Sequence, residues 1–266
     1  MAPRPLFWSL STKRIRLDVG YDGGEFCGWA AQQGLRSVQS TLKTAVRQVS
    51  GEDIEIVGAS RTDGGAHARG QVCHFDSQVA LPPERWALAL NQVLPPDVAV
   101  HQSRQVPPSF HSRFCAQDRW YRYRILCQNH DPLRNRYVYR TWRTLDLSAM
   151  QLAAQDLVGT HDFRGLSEEM NATDNTVRKV LSVKVSRVRD EIWVDVVGQA
   201  FIRGMMRRIS GALYEIGRGH RPAQDVRWLL DPIHRDQLQG PVVLPARGLT
   251  LMRVRYGRVL QDHRTR

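Results

Sequence analysis

The first regular signal along the chain is an alternation. Ile15, Leu17, Val19 and Tyr21 are apolar, while Arg14, Arg16 and Asp18 between them are polar. That period belongs to a strand with one buried face. Tyr21-Asp22-Gly23-Gly24 breaks it. Ser37 then caps a helix whose apolar residues Val38, Leu42, Ala45, Val46 and Val49 recur at helical spacing, and Gly51 stops it. The pattern next predicts strands over 54–59 and 71–75. A helix opened by Pro82-Pro83 follows, with Trp86, Leu90, Val93 and Leu94 on one face, and then a strand over 98–102. The order β-α-β-β-α-β is the split βαβ arrangement of ferredoxin-like folds.

The rest of the chain reads as a second copy. A strand is predicted over 120–126, a helix over 147–158 before Gly159, and two alternating strands over 180–185 and 192–197. Ile202, Met205, Met206, Ile209, Leu213 and Ile216 form the buried stripe of another helix, with Gly217 at its end. A short helix over 225–230 and a strand over 249–256 complete the pattern. The expected fold is therefore α+β. Two ferredoxin-like halves, 1–108 and 109–266, would be related by a pseudo-twofold duplication. They would share a mixed, mainly antiparallel sheet with a cleft between them, where ligands favour domain junctions. The ends, 1–12 and 258–266, read as mobile basic tails.

Composition narrows the class. The 266 residues are 42% hydrophobic and 24% charged, as in an ordinary globular chain rather than a disordered or disulfide-stapled one. No apolar run approaches the ~20 residues of a membrane span. The start is too short for a signal peptide, so a cytoplasmic location is expected. The formal charge is +12, and only four of the 38 Lys and Arg residues are lysine. A preference for arginine codons would explain the ratio but not the net charge, which points to a nucleic-acid partner and a basic cleft. Arginine-rich stretches at 134–143 and 203–208 are the expected phosphate contacts. Cys27, Cys73, Cys115 and Cys127 show no metal-ligand spacing, and no nucleotide-binding or metalloprotease motif is present. The chemistry is expected to use side chains alone, with no metal and no cofactor.

One connection is anomalous. Arg61-Thr-Asp-Gly-Gly-Ala-His-Ala-Arg69 occupies nine residues where a hairpin usually needs about two to five. If 61–63 is extended, Arg61 and Asp63 point to the same side. A guanidinium there would hold the carboxyl ionised, as a carboxylate nucleophile requires. His67 in such a loop is more often a stabilising hydrogen bonder than an acid or base.

The segment Gly58-Ala-Ser-Arg-Thr-Asp-Gly-Gly-Ala-His-Ala-Arg-Gly-Gln-Val72 resembles the signature G-R-T-D-A-G-V-H-A-x-G-Q-V of the bacterial tRNA pseudouridine synthase A family. Five further segments match in order: Tyr21-Asp-Gly23 with Gly28-Trp29 and Val38-Gln39; Phe110-His111 to Tyr123; Gly159 to Phe163; Phe201 to Gly211; and Pro245 to Leu251. The resemblance implies a duplicated ferredoxin-like fold. It also implies cofactor-free isomerisation of uridine to pseudouridine at positions 38–40 of the tRNA anticodon arm, by a homodimer. It makes Asp63 the nucleophile and Arg61 its charge partner. Arg207 reaches the carboxylate across the cleft, and both arginines would push the acidity of Asp63 further up. Tyr121 packs on the target uracil and helps move a proton, and Leu249 lines the base pocket. His67, Arg69 and Gln71 stand on the substrate side of the signature. On pattern alone, Tyr121 could equally be core and Arg207 a solvated helix residue. Gly64 and Ala66 replace the family's usual Ala and Val, loosening the turn after Asp63, and the polar stretch 168–175 reads as a flexible insertion. The rival reading is a non-catalytic RNA-binding protein, which would need neither the Asp63 loop nor Arg207.

Overall fold

In the computed structural model the described residues are 12–128, 130–168, 171 and 173–257. The expected tails, except Thr12, lie outside them, as do residues 169, 170 and 172 of the polar stretch. The first half follows the expected order: β1 (Lys13–Tyr21), α1 (Val38–Ser50), β2 (Val57–Gly58), β3 (His67–Ser77), α2 (Trp86–Asn91) and β4 (Val98–Val106). The local rules act visibly in α1. Ser37 and Ser40 form a capping box, Val38, Leu42, Ala45 and Val46 are buried, and Gly51 closes the helix at φ 74°.

Two of the boundaries that differ from expectation flank the Asp63 loop. The strand predicted over 54–59 shrinks to Val57–Gly58, and the residues before it run beside α1, where Asp53 and Glu55 pair with Lys43. β3 begins at His67, so the connection carrying Asp63 ends at Ala66 instead of Arg69.

The second half has more pieces than its periodicity shows. It runs β5 (Ala116–Cys127), β6 (Tyr139–Thr141), α3 (Leu147–Gln155), β7 (Gly159–Asp162), β8 (Val177–Val188), β9 (Glu191–Gly198), α4 (Met205–Gly217), α5 (Asp225–Leu230) and β10 (Leu249–Tyr256). β6 and β7 are too short to display an alternation. On β5 the alternation is clear. Tyr121, Tyr123 and Ile125 face inward, while Arg122 and Arg124 face out and pair with Asp195 and Glu191 of β9.

All strands join one mixed, mainly antiparallel sheet in the order β4-β1-β3-β10-β5-β9-β8-β7, with β2 on β3 and β6 on β5. The last strand is the joint. β10 runs parallel to the start of β3, with Thr250 opposite His67 and Leu251 opposite Ala68, and antiparallel to β5, with Leu251 opposite Tyr121. Leu251 thus sets the first residues after the Asp63 loop beside Tyr121. One continuous apolar cluster spans both halves, from Leu17, Leu42 and Leu90 to Ile192, Ile209 and Leu213, all essentially buried. Each such side chain contributes about 1.5–3 kcal/mol of transfer free energy. Among the described residues no helix is long and apolar enough to cross a membrane.

Candidate active site

The Asp63 loop is fastened from beneath by neutral hydrogen bonds. Gln71, fully buried in β3, donates from Nε2 to the Ser60 carbonyl at 2.7 Å and accepts the Ser60 N–H at 3.2 Å. Its amide is therefore engaged by main chain and is not free for a substrate, which corrects the substrate-binding expectation for Gln71. Thr62 is buried, with its hydroxyl 2.8 Å from that of Tyr21 and its carbonyl accepting the Trp29 N–H at 3.1 Å. Asp63 bridges Gly28, and its carbonyl accepts the Ala66 N–H at 3.1 Å to close the turn. Gly28 holds φ 110°, and a Cβ there would lie 2.5 Å from the Thr62 carbonyl oxygen. The Gly28-Trp29 motif is thus the seat on which the loop rests.

His67 takes the role that its residue type suggested. It is buried, with Nδ1 3.0 Å from the Gly23 nitrogen and 3.1 Å from Asp22 Oδ1, and Nε2 facing the carbonyls of Arg136 (3.0 Å) and Arg247 (3.2 Å). Burial pushes its pKa down and keeps it neutral. It ties three segments together, and as with Gln71 its ring is not available to a substrate. Arg69 is exposed on β3 and open to a phosphate.

Facing Asp63 stands the start of α4. Nη1 of Arg207 lies 3.5 Å from Asp63 Oδ2, while its Nε donates to the Leu244 carbonyl at 2.8 Å. Arg61 does not form the expected pair. It is exposed, and among the described residues no ion pair joins it to Asp63. The acidity expectation is also corrected. Burial pushes the Asp63 carboxyl up, outweighing Arg207, and Glu168 adds to the rise. Glu168, in the stretch read as an insertion, approaches the same Nη1 at 3.7 Å and pairs with Arg203 at 2.7 Å.

Tyr121 completes the floor. It is buried, packs edge-on against Phe201 with ring centroids 4.9 Å apart, and shares a 2.7 Å hydrogen bond with the Ser60 hydroxyl. Burial pushes its phenol up to about 12, so it is protonated at neutral pH. Leu249 is buried opposite Tyr123, one residue before the His67 register. Arg119, unremarked in the sequence beyond its motif, is buried and donates to the carbonyls of Ala59 (3.1 Å), Arg113 (2.7 Å) and Gln199 (2.5 Å). It ties the strand before the loop to the segment before α4.

The arginine stretches are only partly free for phosphate. Arg134 is held by Asp131, Asp190 and Glu191, and Arg136 pairs with Asp22. Arg208 donates to the Pro241 carbonyl. Arg61, Arg69, Arg203 and Arg247 are exposed, Arg203 while paired with Glu168. A half-buried carboxylate on a rigid loop, a neutral phenol beside it and guanidinium groups around the rim suit attack on a bound polyanion's own carbon.

Comparison with known proteins shows the chain's relatives. A family model described as tRNA pseudouridine synthase matches residues 19–115 and 153–257. The tRNA pseudouridine synthase A of Brevibacillus brevis is 38% identical over 248 residues, covering 92% of this chain and all of that protein. That of Halalkalibacterium halodurans is 40% identical over 220 residues, 82% of this chain and 84% of its own. That of Syntrophotalea carbinolica is 39% identical over 243 residues, 91% and 96%.

Proposed function

The chain belongs to the tRNA pseudouridine synthase family and isomerises uridine to pseudouridine in tRNA, and we propose that Asp63 is the nucleophile of that reaction. The isomerisation breaks the N1–C1′ bond and joins C5 to C1′, with a proton leaving C5 and one taken up at N1. Nothing is gained or lost overall. A covalent bond from Asp63 would hold one fragment while the base turns, through the ribose carbon or through the uracil ring. The supporting observation is the placement of Asp63: a half-buried carboxylate on a fastened loop, facing Arg207 from the other half at 3.5 Å. Burial makes it more basic than a free aspartate, hence a better electron-pair donor once ionised.

The remaining roles follow from the same cleft. The uridine is extruded from its stack to reach Asp63. Tyr121 acts as a neutral hydroxyl that relays a proton with Ser60, and Leu249 bounds the base pocket. Arg207 steadies the carboxylate, and Arg61 and Arg69 meet the RNA backbone. The target is one or more of positions 38–40 in the anticodon arm, and halves 1–108 and 109–266 each supply one wall. The enzyme works in the cytoplasm as a homodimer, one subunit gripping the tRNA body while the other acts. The test is incubation with unmodified tRNA in EDTA, with pseudouridine positions mapped and the mass measured by light scattering. We expect product at 38–40 from a dimer. Product confined to other positions, or a strict monomer of full activity, would overturn those assignments.

A further inference from the structure

Asp63 does not have its arginine to itself. Nη1 of Arg207 is shared between Asp63 Oδ2 at 3.5 Å and Glu168 Oε1 at 3.7 Å. Neither reaches the roughly 2.7–2.9 Å of a committed charge-assisted bond. The other oxygen of Glu168 holds Nε of Arg203 at 2.7 Å, and the Arg203 side chain is 78% exposed. Glu168 is built into this place. Its N–H donates to the Arg203 carbonyl at 3.0 Å. A Cβ at position 204 would come within 2.5 Å of Glu168 Cγ, and α4 begins there on Gly204 at φ 71°. The charged and titratable groups facing Asp63 are Arg207 from α4, Arg203 just before it, Glu168 from the segment after β7, and Tyr121 from β5.

The geometry points to Glu168 as a positioning residue that divides the charge of Arg207 between two carboxylates, so that Asp63 remains a loosely paired nucleophile. A carboxylate locked in a full ion pair has its lone pairs engaged and attacks carbon less readily. The negative charge of Glu168 also works with burial to keep Asp63 basic. A second consequence concerns the rim: Glu168 neutralises Arg203, an exposed cation that RNA would otherwise meet directly. The inference rests on Asp63 being the nucleophile.

The test is Glu168→Gln, with Glu168→Ser as a second variant that removes the same charge if the first folds poorly. Without Glu168, Arg207 is left to Asp63 alone and holds its carboxyl lower. The acid limb of kcat should therefore move to lower pH, by up to about one unit. At neutral pH kcat should fall about two- to fivefold, the scale a partly exposed charge pair supports, while KM for tRNA falls because Arg203 is freed. A residue that merely braces the fold would lower the melting temperature and leave the limb in place. An unmoved limb, or kcat that stays or rises, overturns the inference. Asp63→Asn measured alongside separates the failures. An active Asn variant refutes the nucleophile reading, whereas an inactive one with an unmoved limb in the Glu168 variants refutes only the role of Glu168.

Discussion

The loop that carries Asp63 and the wall that faces it are built from different interactions. Beneath the loop, Gln71, Tyr21, Trp29 and Gly28 hold Ser60, Thr62 and Asp63 through neutral hydrogen bonds in buried surroundings. On the facing wall Glu168 pairs with Arg203 and Arg207, and Arg207 with Asp63, and all of them touch solvent. Neutral buried bonds do not respond to salt or to pH near neutrality, whereas partly exposed ion pairs respond to both. The loop therefore sets where the Asp63 carboxylate is, and the wall sets how strongly it is charged. That division would let a charged RNA arrive on one side without shifting the Asp63 carboxylate.

Substitutions can break either side of this comparison. Short of removing the Asp63 carboxylate itself, the largest effect is expected at Tyr121, whose hydroxyl bonds Ser60 at the start of the loop. Tyr121→Phe keeps the buried ring against Phe201 but removes the hydroxyl bonded to Ser60. Single-turnover isomerisation should fall by about 10²–10⁴-fold, as when a general acid or base is removed. A Phe variant within a few-fold of wild type would reduce Tyr121 to packing.

Arg207→Ala attacks the ionic wall. The rate should fall roughly 10- to 100-fold, within the couplings found inside one charge network, and some activity should survive. The sign of the pH effect is fixed by the same geometry. Arg207 holds the Asp63 carboxyl down against burial, so its loss should move the acid limb to higher pH. A limb unchanged in a rate-versus-pH series would show that the arginine does not act on Asp63.

Gln71→Ala attacks the neutral side instead. It leaves the Ser60 N–H and carbonyl without their side-chain partner, at a cost of about 1–3 kcal/mol for buried polar groups left unpaired. Denaturant melts should show the loss, with the rate falling as the loop wanders. Activity retained with stability lost would mean that the loop does not need its fastening. The smallest effect is expected at Gly64, where a Cβ would meet nothing closer than 3.4 Å, at the Cys27 main chain. Gly64→Ala should stabilise by about 0.4–1 kcal/mol through the unfolded chain, so the glycine at this turn is not required by space. A lower melting temperature would say otherwise.

Much of the frame is written locally. The Ser37 cap, the Gly51 stop and the inward run Tyr121, Tyr123 and Ile125 are each decided by neighbours in sequence. β6 and β7 were invisible because strands of three and four residues carry no period. At the site, the family resemblance pointed to Asp63, Tyr121 and Arg207, which the fold brings together. It could not show that Arg61 turns outward, since an arginine two residues from Asp63 looks closer in sequence than one from α4. Nor could it show the direction of the acidity of Asp63. Burial depends on the other half of the chain closing over the loop, and no local pattern encodes that. The place of Gln71 on the substrate side of the signature gave no hint that its amide holds Ser60 across the strand. Glu168 gave no signal at all, being one polar residue in a polar run.

The most direct measurement is Asp63→Asn, followed in turnover, tRNA affinity and thermal stability on one preparation free of host enzyme. Because folding raises the Asp63 pKa above its unfolded value of about 3.9, ionising it costs stability as pH rises through that window, and at neutral pH the cost is fully present. Removing the charge should therefore leave the melting temperature at or above wild type. Binding of tRNA should hold or tighten, since a negative charge has left a basic cleft, while single-turnover formation of pseudouridine disappears. A well-folded Asn variant that still makes pseudouridine would contradict the assignment of Asp63 as the nucleophile.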